Sequence, residues 1–310
     1  MPLYILRYTP ATKKLENLGR GGPDNGEAYS FGHCDDKLYY ANYSYGNLMT
    51  YDPDKPLHTD LPGEMKWEDN PKLITNLGKG HNRPRAMCVD SKKRVWIGSF
   101  PEYGMIHGGL GCYDSARKKY VNNPVVIPDQ SIISLTPDPS GDIIYGGTSI
   151  GRGSGTDPVT TEAHLFAWDV RSRKVLWKNK PMEGVNGILN LLYLDGKLYG
   201  TTGGTTRGNF TFFRFDPATR KMDYIVPSKI SGVREQSMCI GPDGNIYGIT
   251  WITLFRWHPE TGKIEVLYRC SRRDSKRYPG GSLFHRGAVI IDGRIYFSCG
   301  PNVRSLRLPQ

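Results

Sequence analysis

The sequence predicts an all-β fold, a β-propeller of four-stranded antiparallel blades, and three observations carry that prediction. Glycine (37) and proline (22) are abundant and aromatic residues reach 11%, without the Leu/Ala/Glu excess of a helical protein. A pair of strands joined by a tight turn recurs six times along the 310 residues. Between these pairs a further strand, closed by an Asp-Pro-like turn, also recurs six times.

Each element follows from local chemistry. The turn after the first strand reads CDDK (34–37), DSKK (90–93), DPSGD (138–142), LDGK (194–197), GPDGN (241–245) and IDGR (291–294). Asp-Gly and its relatives supply the positive φ of tight hairpins. The second strand then reads LYYAN, VWIGS, IIYGGT, LYGTT, IYGIT and IYFSC, and it ends on a small residue. The third strand and its turn read YILRYTPATKK, LMTYDPDK, LGCYDSARKK, LFAWDVRSRK, FFRFDPATRK and LFRWHPETGK. Apolar and polar residues alternate through these runs, which marks them as strands with one face buried. Four strands in a unit of roughly 40–55 residues is the pattern of a propeller blade.

Six blades are expected in a single domain spanning residues 1–310, and a seventh would need a repeat that is not visible. The chain starts in a third-strand pattern and ends after a second-strand pattern. The last blade is therefore expected to draw strands from both ends, which removes a free edge and closes the ring. NVRSLRLPQ, at the C-terminal end, competes with YILRY for that third-strand place.

Charge and cysteine content bound the function. A net charge of +11, from 41 Lys and Arg against 30 Asp and Glu, attracts anionic partners without naming them. No run approaches the roughly 18 apolar residues of a membrane helix, so no membrane partner is expected. No signal peptide is visible, which fits a cytoplasmic protein or an exported one whose signal is absent from this chain. A monomer is expected. The six cysteines form no CxxC pair, and Cys88 and Cys239 hold equivalent apolar positions in two repeats, as buried structural thiols would. No motif requires a cofactor. His33 and Cys34 are adjacent in a strand and face opposite ways, so they do not form a metal site.

Strand alternation sorts the loops onto two sides. The tight turns are short and rich in lysine, whereas the second-to-third loops and the links between blades are long, varied, and rich in arginine and histidine. Variable loops on a rigid scaffold are where binding resides, and arginine's planar fork suits carboxylates. On the long-loop side stand Arg83, Arg85, Arg152, Arg207, Arg234, Gln236, His81, His107, His285, Tyr45, Tyr103 and Trp251. His81 and His107 belong to one blade, with Tyr103 and Arg85 nearby in sequence. A histidine, a tyrosine and an arginine around one cleft have the chemistry for β-elimination on a uronic acid: the arginine neutralises the carboxylate, a base takes the acidified proton, and an acid protonates the leaving oxygen. The competing reading places these histidines in hydrogen bonds to backbone. The glycine-rich GTSIGRGSG (147–155) lacks the Lys-Ser/Thr ending of a phosphate loop and is read as a rim loop. Asn186, Asn190 and Glu27 are too scattered for a lactonase-type calcium site. Tyr43, Tyr45 and Trp251 sit singly in the sequence, so no stacking platform for nucleic acid is expected.

RAMCVDSKKRVWIGS and GGLGCYD resemble units of sensor-type and NHL-type propellers. VWIGSFPEYGMIHGGLGCYD and SIISLTPDPSGDIIYGGTSIGRGSGTDPVTTEAHLFAWD resemble propeller-fold polysaccharide lyases, the group of ulvan lyases and rhamnose–glucuronate lyases. The resemblance spans residues 80–170 and rests on fold elsewhere. It implies cleavage of an acidic oligo- or polysaccharide, with His81 and His107 in proton transfer, Tyr103 as their partner and Arg85 or Arg234 on the carboxylate. Arg83, Arg152, Arg207, Arg234, Gln236, His285, Trp251 and Tyr45 are then the expected substrate-binding residues. The alternative is a non-catalytic propeller that binds an acidic protein, glycan or other anion.

Overall fold

The computed structural model describes residues 2–58, 67–203, 210–270, 284–299 and 302–309, and among them the regular elements are β-strands alone. The chain opens with a hairpin of β1 (Pro2–Thr9) and β2 (Lys14–Asn25). Sheets of four strands then follow in sequence order. The first is β3 (Ala28–Cys34), β4 (Lys37–Asn42), β5 (Asn47–Tyr51) and β6 (Lys72–Asn76). The second is β7 (Arg83–Val89), β8 (Arg94–Phe100), β9 (Leu110–Asp114) and β10 (Lys119–Asn123). The third comprises β11 (Ser131–Pro137), β12 (Ile143–Ser149), β13 (Leu165–Asp169) and β14 (Lys174–Asn179). It is joined by one bridge, Ser149 to Gly187, to the fourth sheet of β15 (Gly187–Leu194), β16 (Lys197–Gly203), β17 (Thr211–Asp216) and β18 (Lys221–Pro227). The fifth is β19 (Val233–Ile240), β20 (Ile246–Thr250), β21 (Thr253–Trp257) and β22 (Ile264–Arg269). The last has three strands, β23 (Phe284–Ile291), β24 (Arg294–Cys299) and β25 (Asn302–Arg307).

The turns behave as their residues dictate. Asp35 and Asp36 both have positive φ (51° and 56°), as do the pairs Asp195–Gly196 and Asp292–Gly293, which is the conformation of a type I′ hairpin. At the ends of the third strands an Asp side chain accepts the backbone N–H two or three residues on, as Asp114 does from Arg117 (2.9 Å) and Asp216 from Ala218 (2.8 Å). The small residue near the end of the second strand also has a cause. Gly200 lies opposite Phe213 and Gly248 opposite Phe255, and a Cβ on either glycine would meet the ring at 2.2 or 2.5 Å. The phenylalanine covers the glycine, and any side chain there would displace it.

One expectation is corrected. The third-strand place of the last sheet is filled by Asn302–Arg307, which pairs with β24 from Cys299↔Asn302 to Arg294↔Arg307. The YILRY segment instead pairs with β2, so the two chain ends do not share a sheet among the described residues. Both choices are the local ones, because closing a hairpin of a few residues costs far less chain entropy than joining the ends of a long chain.

The chain divides into two compact units: Met1–Tyr145, Ile150–Thr160 and Ala167–Leu176 form one, and Gly146–Ser149, Thr161–Phe166 and Trp177–Gln310 the other. In the first unit, Tyr39, Ala41 and Leu48 pack against Val95, Ile97 and Tyr113 between the first two sheets. Tyr40 and Met49 on the opposite face meet Leu3, Ile5 and Leu18 of the hairpin. In the second unit, Phe212 packs edge-on against Phe255 (5.3 Å) and Tyr199 edge-on against Trp257 (5.4 Å), the geometry that aromatic quadrupoles favour.

Candidate anion-binding site

In the first unit, the segment 97–114 is built to hold its neighbours. Both carboxylate oxygens of Glu102 accept the N–H of Gly80 (3.1 and 2.9 Å), which ties this second-to-third loop to the link before β7. On the other side, Gly104 donates to Ser154 O and Gly153 to Met105 O, both at 3.0 Å, lacing the loop to residues 150–156. The link also touches the loop after β4, where Asn82 Nδ2 donates to Ser44 O (2.5 Å). Within this unit the long loops and the link therefore share one side, as strand alternation requires.

His81 sits at the centre of that lacing and is 1% exposed. Its Nδ1 lies 2.6 Å from Ser99 Oγ and its Nε2 3.0 Å from Asn122 Oδ1. An amide oxygen only accepts, so Nε2 carries the proton and Nδ1 accepts from the Ser99 hydroxyl. Gly109 lies beneath the ring, and a Cβ there would stand 2.6 Å from Nε2. Burial pushes the imidazole pKa down to about 4, against upward contributions from the Asn122 hydrogen bond and the Glu102 charge. With both nitrogens engaged and no face open, His81 has the geometry of a structural residue rather than of the proton-transfer group expected from its sequence position. His107 takes a separate place: its side chain is 31% exposed and its Nδ1 is 4.0 Å from Asp129 Oδ1.

What does converge is a cluster of arginines and aromatic rings. β7 loses register with β8 between Arg83↔Phe100 and Ala86↔Gly98, so Pro84 and Arg85 stand against Ser99 alone. The bulge turns Arg85 over the rings of Tyr29 (4.2 Å) and Phe100 (5.7 Å). Arg83 lies 5.3 Å from the ring of Tyr43 and 5.5 Å from that of Tyr103. Its Nη2 donates to Tyr103 Oη at 3.4 Å, and the Tyr43 and Tyr103 hydroxyls are 3.5 Å apart. Tyr29 and Tyr43 meet at 5.7 Å. Tyr103 is 60% exposed, so the cluster opens to solvent. The Tyr103 hydroxyl and the Arg83 guanidinium both stabilise a phenolate on Tyr43, which holds that phenol below its ordinary value, while the proton on Tyr103 is held above it.

Sequence reasoning named Arg83, Arg85 and Tyr103 but missed Tyr29, Phe100 and the role of Tyr43. Tyr43 does not stand singly: the loop after β4 brings it beside the link that enters β7. The signal that would have found it is the adjacency of each second-to-third loop to the following link.

The other expected residues are dispersed. Tyr45 is 69% exposed, and Arg152 turns back on its own loop, donating to Thr156 O and pairing with Asp157 (3.4 Å). In the second unit Arg234 stacks on Trp251 at 3.6 Å, and Gln236 lies in the same stretch of β19. Arg207 and the side chain of His285 lie outside the described residues. Among the described residues no three His, Cys, Asp or Glu side chains gather as a metal site would require, and His33 points to solvent while Cys34 is buried.

No family model matches the sequence, and no curated protein sequence matches it. Among solved structures it is similar to the crystal structure of the WD40 β-propeller domain of Doa1, with a TM-score of 0.65 over 94% of this chain and 81% of that one. At 13% identity the likeness is one of architecture, and the architecture is a β-propeller.

Proposed function

We propose that this chain is a binding module for an acidic glycan, and that the arginine–tyrosine cluster of the first unit is its contact surface. The observation that carries the reading is Arg83, which lies by two tyrosine rings on an open face. A guanidinium next to an aromatic plane matches a uronate: the carboxylate takes the donors and the apolar face of the sugar lies on the ring. The net charge of +11 adds long-range attraction for such a polymer.

A lyase is the second reading, and one observation favours it. A tyrosine of lowered pKa beside an arginine is a candidate base for the proton next to a uronate carboxylate. Tyr43 phenolate would take that proton, the electron pair would form the ring double bond, and the glycosidic oxygen would leave with a proton from Tyr103. Titration calorimetry with a short galacturonate oligomer and its methyl ester, alongside absorbance of an unsaturated uronyl product, tests both. Binding of the acid form alone, weakened roughly 10- to 100-fold in Arg83→Gln, is expected for loss of a charge-assisted hydrogen bond. Equal binding of the ester removes the proposal. Product formation that disappears in Tyr43→Phe establishes the lyase.

A further inference from the structure

We infer that the second unit carries its own anion site, formed by Arg234, Trp251 and Gln236, for the same class of ligand. The inference rests on reading the first unit's cluster as a uronate site. Register is the first argument. β19 pairs with β20 at Val233↔Thr250 and next at Met238↔Gly248, so residues 234–237 stand against Ile249 alone. The break falls at the start of the sheet's first strand, the level at which β7 breaks to present Arg85. In both sheets the bulge delivers an arginine onto an aromatic residue at the end of the second strand: Arg85 over Phe100 and Arg234 over Trp251. Recurrence of one device in two sheets, in different units, sets it apart from chance surface packing.

The bulge is also held in shape. Buried Asn190 donates through Nδ2 to Arg234 O (3.0 Å) and to Thr201 Oγ1 (2.9 Å), and its Oδ1 accepts from Ser237 N (3.1 Å). Ser237 Oγ donates to Glu235 O (3.0 Å) and accepts from Gly287 N (3.1 Å). Gln236 is thereby held at a φ of 52°, a left-handed conformation that costs energy for a residue with a side chain. Its Nε2 is buried without a hydrogen-bond partner among the described residues. A donor lacking an acceptor, two residues along the bulge from the stacked Arg234, is one that a carboxylate or a sugar hydroxyl would complete. Trp251 is 43% exposed, so its outer surface offers a platform for the apolar face of a sugar ring.

The test uses the full chain and a short galacturonate oligomer, with its methyl ester and polyglutamate as controls. Stoichiometry comes from calorimetry, and occupancy of this site from acrylamide quenching, because Trp251 is the exposed tryptophan of the six. Wild type should bind two oligomers, and the ligand should shield Trp251. Arg234→Ala should bind one and lose the shielding. Arg83→Ala should also bind one but keep it. Arg234→Lys, which retains charge and the aliphatic stem, covers the case in which the alanine variant fails to fold, and should bind this site roughly 10-fold more weakly. One oligomer per wild-type chain, with Arg234→Ala and Arg234→Lys unchanged, overturns the inference and leaves the first-unit reading standing. Loss at Arg234 with no effect at Arg83 does the reverse. Binding of polyglutamate but not of the oligomer overturns both.

Discussion

Substituting His81 by Gln should flatten the acid dependence of stability, and the size of the effect follows from its surroundings. In the unfolded chain the imidazole titrates near 6.5, and in the folded protein near 4. As pH falls below 6.5 the unfolded state takes up a proton that the folded state refuses, so stability is complete above 6.5 and declines toward 4. At roughly 1.4 kcal/mol per pH unit, that interval corresponds to about 3 kcal/mol. Glutamine keeps a donor and an acceptor for Asn122 and Ser99 but does not titrate in this window. Urea unfolding of both proteins between about pH 7.5 and 4.5 isolates the contribution, because the other carboxylates and histidines are common to both. Wild type should be the more stable at the upper end, and its advantage should shrink by about 2–3 kcal/mol between about pH 7.5 and 4.5, most of the full effect. A constant gap across the window would refute the assignment of His81 as a sealed, neutral residue.

Asp90, whose side chain is fully buried, accepts Arg94 Nε (2.7 Å), Trp96 Nε1 (2.8 Å) and the backbone N–H of Lys92 and Arg94. Asp90→Ala should lower stability by about 3–5 kcal/mol with an unchanged urea m-value, since it strands a guanidinium and an indole N–H; a loss below about 1 kcal/mol contradicts this. Burial pushes the Cys112 and Cys239 thiols up to about 12 and Cys88 well above its ordinary value. All three should resist iodoacetamide near pH 8 in the folded protein and react on unfolding, and peptide mapping that finds rapid native labelling of any of them would show its sulfur to be accessible.

The strands were legible because their causes are local. Alternation, Asp-Gly turns and the small residue opposite a phenylalanine all act within one hairpin, and the structure has each of them where the repeats stand. The way the ends pair was not legible, because YILRY and NVRSLR carry the same strand pattern and only competition between partners decides which sits beside β24. For the site, the sequence placed Arg83, Arg85 and Tyr103 on the long-loop side, and these do meet. It could not reveal that His81 is sealed, since its hydrogen-bond partners Ser99 and Asn122 reach it from β8 and β10. Nor did it reveal Tyr29 and Phe100, which become neighbours of Arg85 through a break in register.

That break leaves a trace that a pattern search discards. β3 skips register between Ala28 and Ser30, β7 between Arg83 and Ala86, β19 between Val233 and Met238, and β23 between Phe284 and Ala288. Each break falls before the regular alternation of its strand begins, where residues look like the tail of a link. A residue in a bulge is released from the two-residue period, so its side chain leaves the strand's two faces and its type is free of the packing constraint. Polar and aromatic residues just upstream of an apolar first strand are thus the ones this fold is able to spend on recognition. Tyr29, Arg85 and Arg234 each lie in such a break but at different distances from the second strand, so a repeat alignment without gaps leaves them in separate columns.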